Sequence, residues 1–204
     1  MKKILLTAVA VFAFSFANAQ DSSKSFGFSE GDVLVEGNFS FNSTNDKNTD
    51  TKTNSLGFNP KVGYFLTDKF ALGLELEVAN GSTEVAGIDT KKSSNFGAGV
   101  FGRYYFLELG ERFKTYAEVG VDFNNGKDGL GNMETKYSGV GFGAGLGLNY
   151  FVTENFAINF GLSDILGYSS YKVEDGKAVS GFGANLNVFN NFFATANFGL
   201  TFKL

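Results

Sequence analysis

An alternation of large apolar residues with small or polar ones, repeating every second residue, runs through most of the chain. Eight segments between residues 33 and 204 show it. Its clearest form lies at residues 70–78, where every second residue is large and apolar: Phe70, Leu72, Leu74, Leu76 and Val78. Because successive side chains of a β-strand point to opposite faces of a sheet, this pattern predicts an all-β protein whose strands have one apolar face.

The composition supports strands and argues against several classes of function. The chain has 27 Gly, 25 Phe and 8 Tyr but only 1 Pro. It has no Cys and no His, which removes thiol chemistry, the usual general base and the commonest zinc ligand. Its net charge of -4 is unlike that of nucleic-acid binders, which normally have a basic surplus. We therefore expect a protein that is not an enzyme, binds no nucleic acid and holds no metal or cofactor.

Residues 1–19 have the features of a secretory signal peptide. Lys2 and Lys3 are followed by an apolar run over residues 4–17, and Ala17-Asn18-Ala19 fits a small-x-small cleavage site. The run is shorter than the roughly 20 residues that a membrane-spanning helix needs. The sequence therefore predicts export and cleavage between Ala19 and Gln20.

The connections between the predicted strands differ in length at the two ends. Four longer stretches are rich in Asn, Asp, Thr, Lys and Gly, at residues 43–54, 80–93, 124–136 and about 172–178. Short turns alternate with them, near residues 67–69, 107–112 and 153–155. Long loops at one end and short turns at the other are typical of a transmembrane β-barrel, so we expect an antiparallel up-and-down barrel of this kind.

Alternation alone leaves open which face points outward, because a soluble ligand-carrying barrel would turn its apolar face inward. Three features favour the membrane barrel. The polar face is rich in glycine, which weakens strands and is a poor choice for a solvated surface. The signal peptide directs the chain to the compartment where such barrels assemble. Aromatic residues also cluster near the turns, as in an interfacial girdle: Tyr64, Phe65, Phe70, Tyr104, Phe106, Phe113, Tyr150, Phe151 and Phe156.

Three motifs connect this pattern with a known family. They are Lys61-Val62-Gly63-Tyr64-Phe65 before a turn, Gly102-Arg103-Tyr104-Tyr105-Phe106, and the closing segment Phe198–Leu204. Over residues 33–204 the chain resembles the small outer-membrane β-barrels of Gram-negative bacteria, the OmpX/OmpA-like group often labelled porin family. The resemblance implies eight antiparallel strands, both termini in the periplasm, no cofactor, and contact with outer-membrane lipid.

The resemblance also implies a partner during biogenesis. In this family the barrel-assembly machinery recognises the last strand, which usually ends in Phe. Here the corresponding residues are Phe198, Leu200, Phe202 and Leu204. The chain thus departs from the family pattern at its final residue, which is Leu204.

The number of strands depends on how residues 179–204 are divided. A crossing needs about 9–11 residues, so this segment is too long for one. We expect one long last strand, interrupted at Phe189-Asn190-Asn191-Phe192, and hence eight strands; a hairpin there would favour ten. The predicted organisation is a signal peptide at residues 1–19, a periplasmic N-terminal segment at 20–32, and a barrel at 33–204.

The inward-facing charges nearly balance and predict a network inside the barrel. The face opposite the apolar one carries Glu36, Lys61, Glu75, Glu77, Arg103, Lys114, Glu118, Asp122 and Lys203. Charges in a narrow interior are costly unless they are paired. An eight-stranded barrel has room for side chains and little else, so we expect these residues to fill the lumen, with Glu36–Lys61 as the first pair. The alternating glycines at 139–147 would leave room for large side chains from other strands.

One glycine motif resembles a cofactor site. Residues 97–102 match the G-x-G-x-x-G pattern of dinucleotide-binding loops, but the residues after it continue a strand, whereas that motif requires a helix. We therefore expect a non-enzymatic outer-membrane barrel whose structural or cell-surface role depends on its extracellular loops. The alternative is a narrow passive channel for small solutes. No surface ligand is predicted.

Overall fold

The computed structural model describes residues 26–130, 133–184 and 196–204. The predicted signal peptide and the predicted interruption at 189–192 lie outside these ranges. Among the described residues, no helix is long and apolar enough to cross a membrane.

The described residues form nine antiparallel strands. They are β1 (Val33–Asp46), β2 (Thr51–Thr67), β3 (Phe70–Val85), β4 (Ile88–Leu109), β5 (Phe113–Gly129), β6 (Thr135–Phe151), β7 (Phe156–Val173), β8 (Ala178–Ala184) and β9 (Ala196–Lys203). Each of β1 to β6 pairs with the next strand along the chain, which gives the predicted up-and-down order.

The nine strands occupy eight positions around a closed ring. β9 pairs with β1 on one side and with residues 156–162 of β7 on the other, which closes the barrel. β8 pairs with residues 166–172 of the same β7. β8 and β9 are therefore two parts of the eighth position, and the eight-stranded barrel is confirmed.

The two ends of the barrel differ, and the prediction of long loops was wrong. Short turns, together with residue 26 and the C-terminus, lie at one end, which we call the terminal end. At the other, the polar end, the strands continue through the predicted loops, and Ala86-Gly87 alone joins β3 to β4. β4 has 22 residues, about twice what a crossing needs. Backbone pairing requires no apolar face, and Thr, which is frequent here, favours strands. The polar end therefore projects beyond the membrane as a polar extension of the barrel.

The apolar face points outward, as expected for a membrane barrel and opposite to a soluble one. Leu74 is 65% exposed on the outer surface. Its neighbour Gly73 faces the lumen, where a Cβ atom would lie 2.5 Å from the Phe101 ring. The outer surface is a belt of exposed Leu, Val, Phe and Tyr side chains. Such a belt is stable only against lipid.

Candidate functional site in the barrel lumen

Arg103, on β4, lies at the centre of the lumen and is 1% exposed. Its Nη1 and Nη2 atoms donate to the two carboxylate oxygens of Glu36, at 2.8 and 3.0 Å. Its Nε donates to Glu118 Oε2 at 2.7 Å. A buried guanidinium is tolerated only when its charge and its donors are matched, and these two carboxylates from opposite sides of the lumen meet both needs.

Lys61, on β2, extends this group of ion pairs. Its Nζ lies 2.8 Å from Glu75 Oε2 and 2.5 Å from Glu118 Oε1. Glu118 therefore connects the two cations. The expected Glu36–Lys61 pair was wrong: the two residues are direct neighbours in the β1–β2 register, but Glu36 binds the guanidinium instead. The planar Arg103 fork donates two parallel hydrogen bonds to the two oxygens of Glu36, a bidentate geometry that suits a guanidinium better than an ammonium group.

A chain of hydrogen bonds between neutral side chains links Glu36 to residues of β9, β6 and β4. Tyr105 donates its hydroxyl to Asn149 Oδ1 at 2.7 Å, and Asn149 donates to Thr201 Oγ1 at 3.0 Å. Thr201 in turn donates to Glu36 Oε2 at 2.9 Å. Asn149 and Thr201 are fully buried. Burying these amide and hydroxyl groups costs little because they satisfy one another.

A second chain returns to the same carboxylate. Tyr116 donates to Asn159 Oδ1 at 2.7 Å, and Asn159 donates to Asn38 Oδ1 at 3.2 Å. Asn38 then donates to Glu36 Oε1 at 3.1 Å. The Arg103 guanidinium also stacks on the Tyr116 ring, 4.0 Å from its centroid.

These groups form one connected set, which we call the lumen network. Its members are Glu36, Asn38, Lys61, Glu75, Arg103, Tyr105, Tyr116, Glu118, Asn149, Asn159 and Thr201. Each of the eight ring positions contributes at least one of them. The network therefore joins all sides of the barrel across its interior.

Below the lumen network, aromatic rings fill the terminal end. Phe28, which precedes β1, stacks on Phe65 with ring centroids 4.2 Å apart. The same ring contacts Tyr105 at 5.2 Å and Phe151 at 5.4 Å. We call these four residues the aromatic floor. The backbone around Phe28 is held by Gly31, which donates its N–H to the carbonyl of Phe65 at 2.9 Å.

Above the lumen network, the barrel is open to the polar end. A cavity of about 400 Å³ is lined there by Glu75, Glu77, Asp122, Asn124 and several glycines. Asn95 donates to Glu77 at 3.2 Å, and Asn124 donates to Asp122. Acidic side chains thus outnumber basic ones around the opening.

Not every predicted inward charge joins the lumen network. Glu77 and Asp122 bond to amides in the cavity wall instead. Lys114 pairs with Glu108 at 2.7 Å near the terminal end, and Lys203 donates to the carbonyl of Gly27 at 2.9 Å.

Two residues of the predicted aromatic girdle were wrongly placed. Phe65 and Phe151 are buried in the aromatic floor rather than exposed to lipid. Each directly follows a tyrosine in the same strand, and adjacent strand residues cannot both face outward. The other predicted members are exposed or half-buried on the outer face: Tyr64, Phe70, Tyr104, Phe106, Phe113, Tyr150 and Phe156.

The residues of the predicted assembly signal lie on the strand that closes the ring. Phe198, Leu200 and Leu204 are exposed on the outer face. Phe202 is half-buried and contacts Phe156, with ring centroids 5.1 Å apart. Their role in assembly remains a prediction.

Several members of the site were missed from the sequence. Tyr105 and Tyr116 share the alternation of Arg103 and Glu118, which places both side chains inside the barrel, although neither was among the predicted site residues. The alternating glycines are a second signal of large side chains in the lumen. A Cβ atom at Gly147 would overlap the Tyr116 ring, and one at Gly141 would meet the Asp122 side chain. Phe28 had no signal, because it precedes the alternating segments.

The lumen network is suited to fixing its charged side chains in position rather than to catalysing a reaction. Every charged member of the lumen network has an ion-pair partner. Among the described residues there is no group of three or more metal-ligating side chains.

A closed antiparallel ring with an apolar outer belt and a polar lumen defines an outer-membrane β-barrel. The chain belongs to the family of the outer membrane protein beta-barrel domain, whose profile matches residues 6–202. It is accordingly a protein of the outer membrane.

The chain is also similar to several known proteins. The chain is 28% identical over 173 residues to outer membrane porin F of Pseudomonas fluorescens, a match that covers 79% of this chain and 50% of that protein. The chain thus spans about half the length of this curated relative. The crystal structure of OprG from Pseudomonas aeruginosa is similar with a TM-score of 0.53 at 17% identity, covering 87% of this chain and 98% of OprG. The N-terminal barrel domain of OprF from the same organism gives 0.41 at 19% identity, covering 86% and 98%.

Proposed function

We propose that this protein is a non-enzymatic barrel with a closed lumen, which acts structurally or at the cell surface rather than as a pore. The observation that carries this proposal is the Glu36–Arg103–Glu118 bridge across the lumen, directly above the aromatic floor. An ion passing through would have to part buried, fully matched charges and then displace packed rings.

Conduction would require these contacts to be broken. Breaking a buried ion pair leaves a charge without a partner, which costs several kcal/mol, typically about 3–5. Separating Phe28 from Phe65 would expose apolar rings to water at the terminal end. Two adjacent layers, which share Tyr105, therefore oppose conduction, one electrostatic and one hydrophobic.

A surface role is supported by the polar extension. With both termini in the periplasm, as in the family that the chain resembles, the polar end faces outside the cell. Two tips there expose apolar side chains: Ile88 at 69% and Met133 at 80%. Single exposed apolar side chains are common on protein surfaces, so the surface role rests on the projecting polar wall itself. The extension takes the place of the long polar loops expected from the sequence.

The non-enzymatic part of the proposal rests on residue chemistry. The chain contains no His, and its interior carboxylates are engaged by Arg, Lys or amide donors. A general base needs a free lone pair at the reacting atom. The family match is to a barrel domain of the outer membrane.

A narrow passive channel is the second candidate. It is favoured by the name of the curated relative, a porin, and by the cavity of about 400 Å³ that enters the lumen from the polar end. In this alternative the lumen network would open or let water pass between its members.

An ion-flux assay in proteoliposomes tests the two candidates. We expect the wild type to release entrapped ions no faster than protein-free vesicles. The double variant Glu36→Ala/Arg103→Ala removes both halves of the bridge while Glu118 keeps Lys61, and we expect it to be leakier. Val35→Ala/Tyr104→Ala alters the neighbouring outward residues and serves as the matched control. Wild-type flux well above that of protein-free vesicles would favour the channel.

A further inference from the structure

A crevice of about 440 Å³ lies on the outer wall of the barrel, where the apolar belt meets the polar extension. Its lining follows a row of residues that pair from strand to strand across β1 to β5: Phe41, Leu56, Asn80, Ser94 and Lys127. All five belong to the face that alternates outward. Most of the lining residues alternate outward, so the crevice opens on the outer wall of the barrel; Ser55, Gly81 and Ser93, at inward-alternating positions, also line it.

The chemistry of the crevice changes along this row. At one end Phe41 and Leu56 are 75% and 56% exposed. The middle is made of amide and hydroxyl side chains, and the far end holds Lys92, Lys127 and the carboxylate of Glu134. A molecule with an apolar chain at one end and an anionic group at the other fits this arrangement when the anion displaces Glu134 from Lys127.

The cationic end concentrates like charges. Lys127 and Lys136 are direct partners in the β5–β6 register, and Lys92 lies two residues before Ser94, the partner of Lys127 on β4. Like charges opposite one another on neighbouring strands repel. An anion bound between them would relieve this repulsion.

Each of these lysines also has an acidic neighbour, but the pairs are exposed. The distances are 2.7 Å for Lys92–Asp89, 3.2 Å for Lys127–Glu134 and 3.8 Å for Lys136–Glu174. Exposed ion pairs contribute little to stability. Phosphate oxygens can therefore replace the carboxylates at small cost.

The lysines at the cationic end of the crevice lie at the level of the lipid headgroups. Phe123 on β5 is 64% exposed in the apolar belt. Lys127 lies four residues further along the same strand, which is about 13 Å. A flexible lysine at that level reaches the interface above the hydrocarbon.

We propose that this crevice binds a phosphorylated anionic lipid of the leaflet at the polar end. The phosphate lies between Lys92 and Lys127, with Lys136 adding to the positive field. An acyl chain lies along Leu56 and Phe41. With the orientation proposed above, this is the outer leaflet.

Binding of defined lipids to the delipidated, folded protein in detergent, followed by native mass spectrometry, tests the site. The probe is bisphosphorylated lipid A. We expect Lys92→Gln/Lys127→Gln to weaken its binding about thirtyfold, the effect of two lysines near an anionic lipid surface. The control Lys47→Gln/Lys91→Gln has the same net charge, with changes at a turn and on the inward face, and should bind like the wild type.

Further arms distinguish the source of the phosphate. Glu134→Gln frees Lys127 and should strengthen lipid A binding. Inorganic phosphate at the same concentration should not compete, because it lacks the acyl chain. The proposal is overturned if the Lys92/Lys127 variant binds as tightly as its control, if phosphatidylcholine binds equally well, or if inorganic phosphate displaces the lipid. Unheated gel mobility verifies that each variant is folded.

Discussion

Glu36 is the residue on which most of the lumen network depends. Its carboxylate accepts hydrogen bonds from Arg103, Thr201 and Asn38. It thereby joins the charged and the neutral parts of the interior. A buried carboxylate with four donors is stable as an anion, but only while its cation is present.

Removing that cation should therefore be costly. We expect Arg103→Ala to destabilise the folded barrel by about 3–5 kcal/mol, because Glu36 would stay buried without its partner. Tyr104→Ala, at the next residue but on the lipid face, is the control and should cost less. Urea unfolding in lipid vesicles measures both. Equal losses for the two variants would show that the guanidinium is not a structural centre.

A separate prediction concerns Leu74, on the outer face of the barrel. We expect Leu74→Arg to destabilise the barrel by about 2–4 kcal/mol if the residue lies near the bilayer midplane. Ser82→Arg lies on the same face of β3 but in the polar extension, so its effect should be close to zero. The same unfolding assay applies. If Leu74→Arg were as stable as the wild type, the assignment of inside and outside would be reversed.

At the scale of the element, residues 26–32 act as the lower closure of the barrel. Phe28→Ala should remove the ring that stacks on Phe65 and loosen this segment, at a cost of about 2 kcal/mol, less than for a fully buried ring. Hydrogen exchange at the Gly31 amide, which is bonded to Phe65, should become faster. Ser29→Ala is the control in the same segment. Unchanged exchange in Phe28→Ala would argue against a closure held by this ring.

The turn between β1 and β2 should depend on pH. The backbone N–H of Asn48 and the hydroxyl of Thr49 donate to the Asp46 carboxylate, and these bonds lower the pKa of Asp46. The charged form is thus favoured in the folded turn, so its stabilisation is present at neutral pH. It is lost as the pH falls below the ordinary range of aspartate, around 4.

The NMR shift of the Asn48 amide measures this titration. We expect a single midpoint below that of an unstructured peptide, and none in Asp46→Ala. A midpoint at or above the peptide value would contradict the hydrogen-bonded turn.

The strands and segments differ in how much of their structure could be predicted from the sequence. Alternation identified the strands and the inward face of Lys61, Arg103 and Glu118, because side-chain direction follows from counting by two. It did not identify which charges meet, because that depends on distances across the lumen. The polar composition of the extension predicts loops, because its strands lack an apolar face on either side. Phe28 is held by tertiary contacts alone, so no local pattern marks it.

At the scale of the whole molecule, the lumen network links all eight positions of the ring. A barrel wall is held mainly by hydrogen bonds between neighbouring strands, whereas these side chains connect strands on opposite sides. Together with the aromatic floor they leave the lumen open only toward the polar end. The molecule thus has a rigid, closed lower half and a polar wall above it.

Single-channel recording of the wild-type protein in planar lipid bilayers tests the closed lumen most directly. We expect folded, heat-modifiable wild-type protein to insert without producing stable conductance steps, and Glu36→Ala/Arg103→Ala to produce them. Large and long-lived steps from the wild type would contradict the closed lumen, and would mean that the Arg103 bridge and the aromatic floor do not block the path.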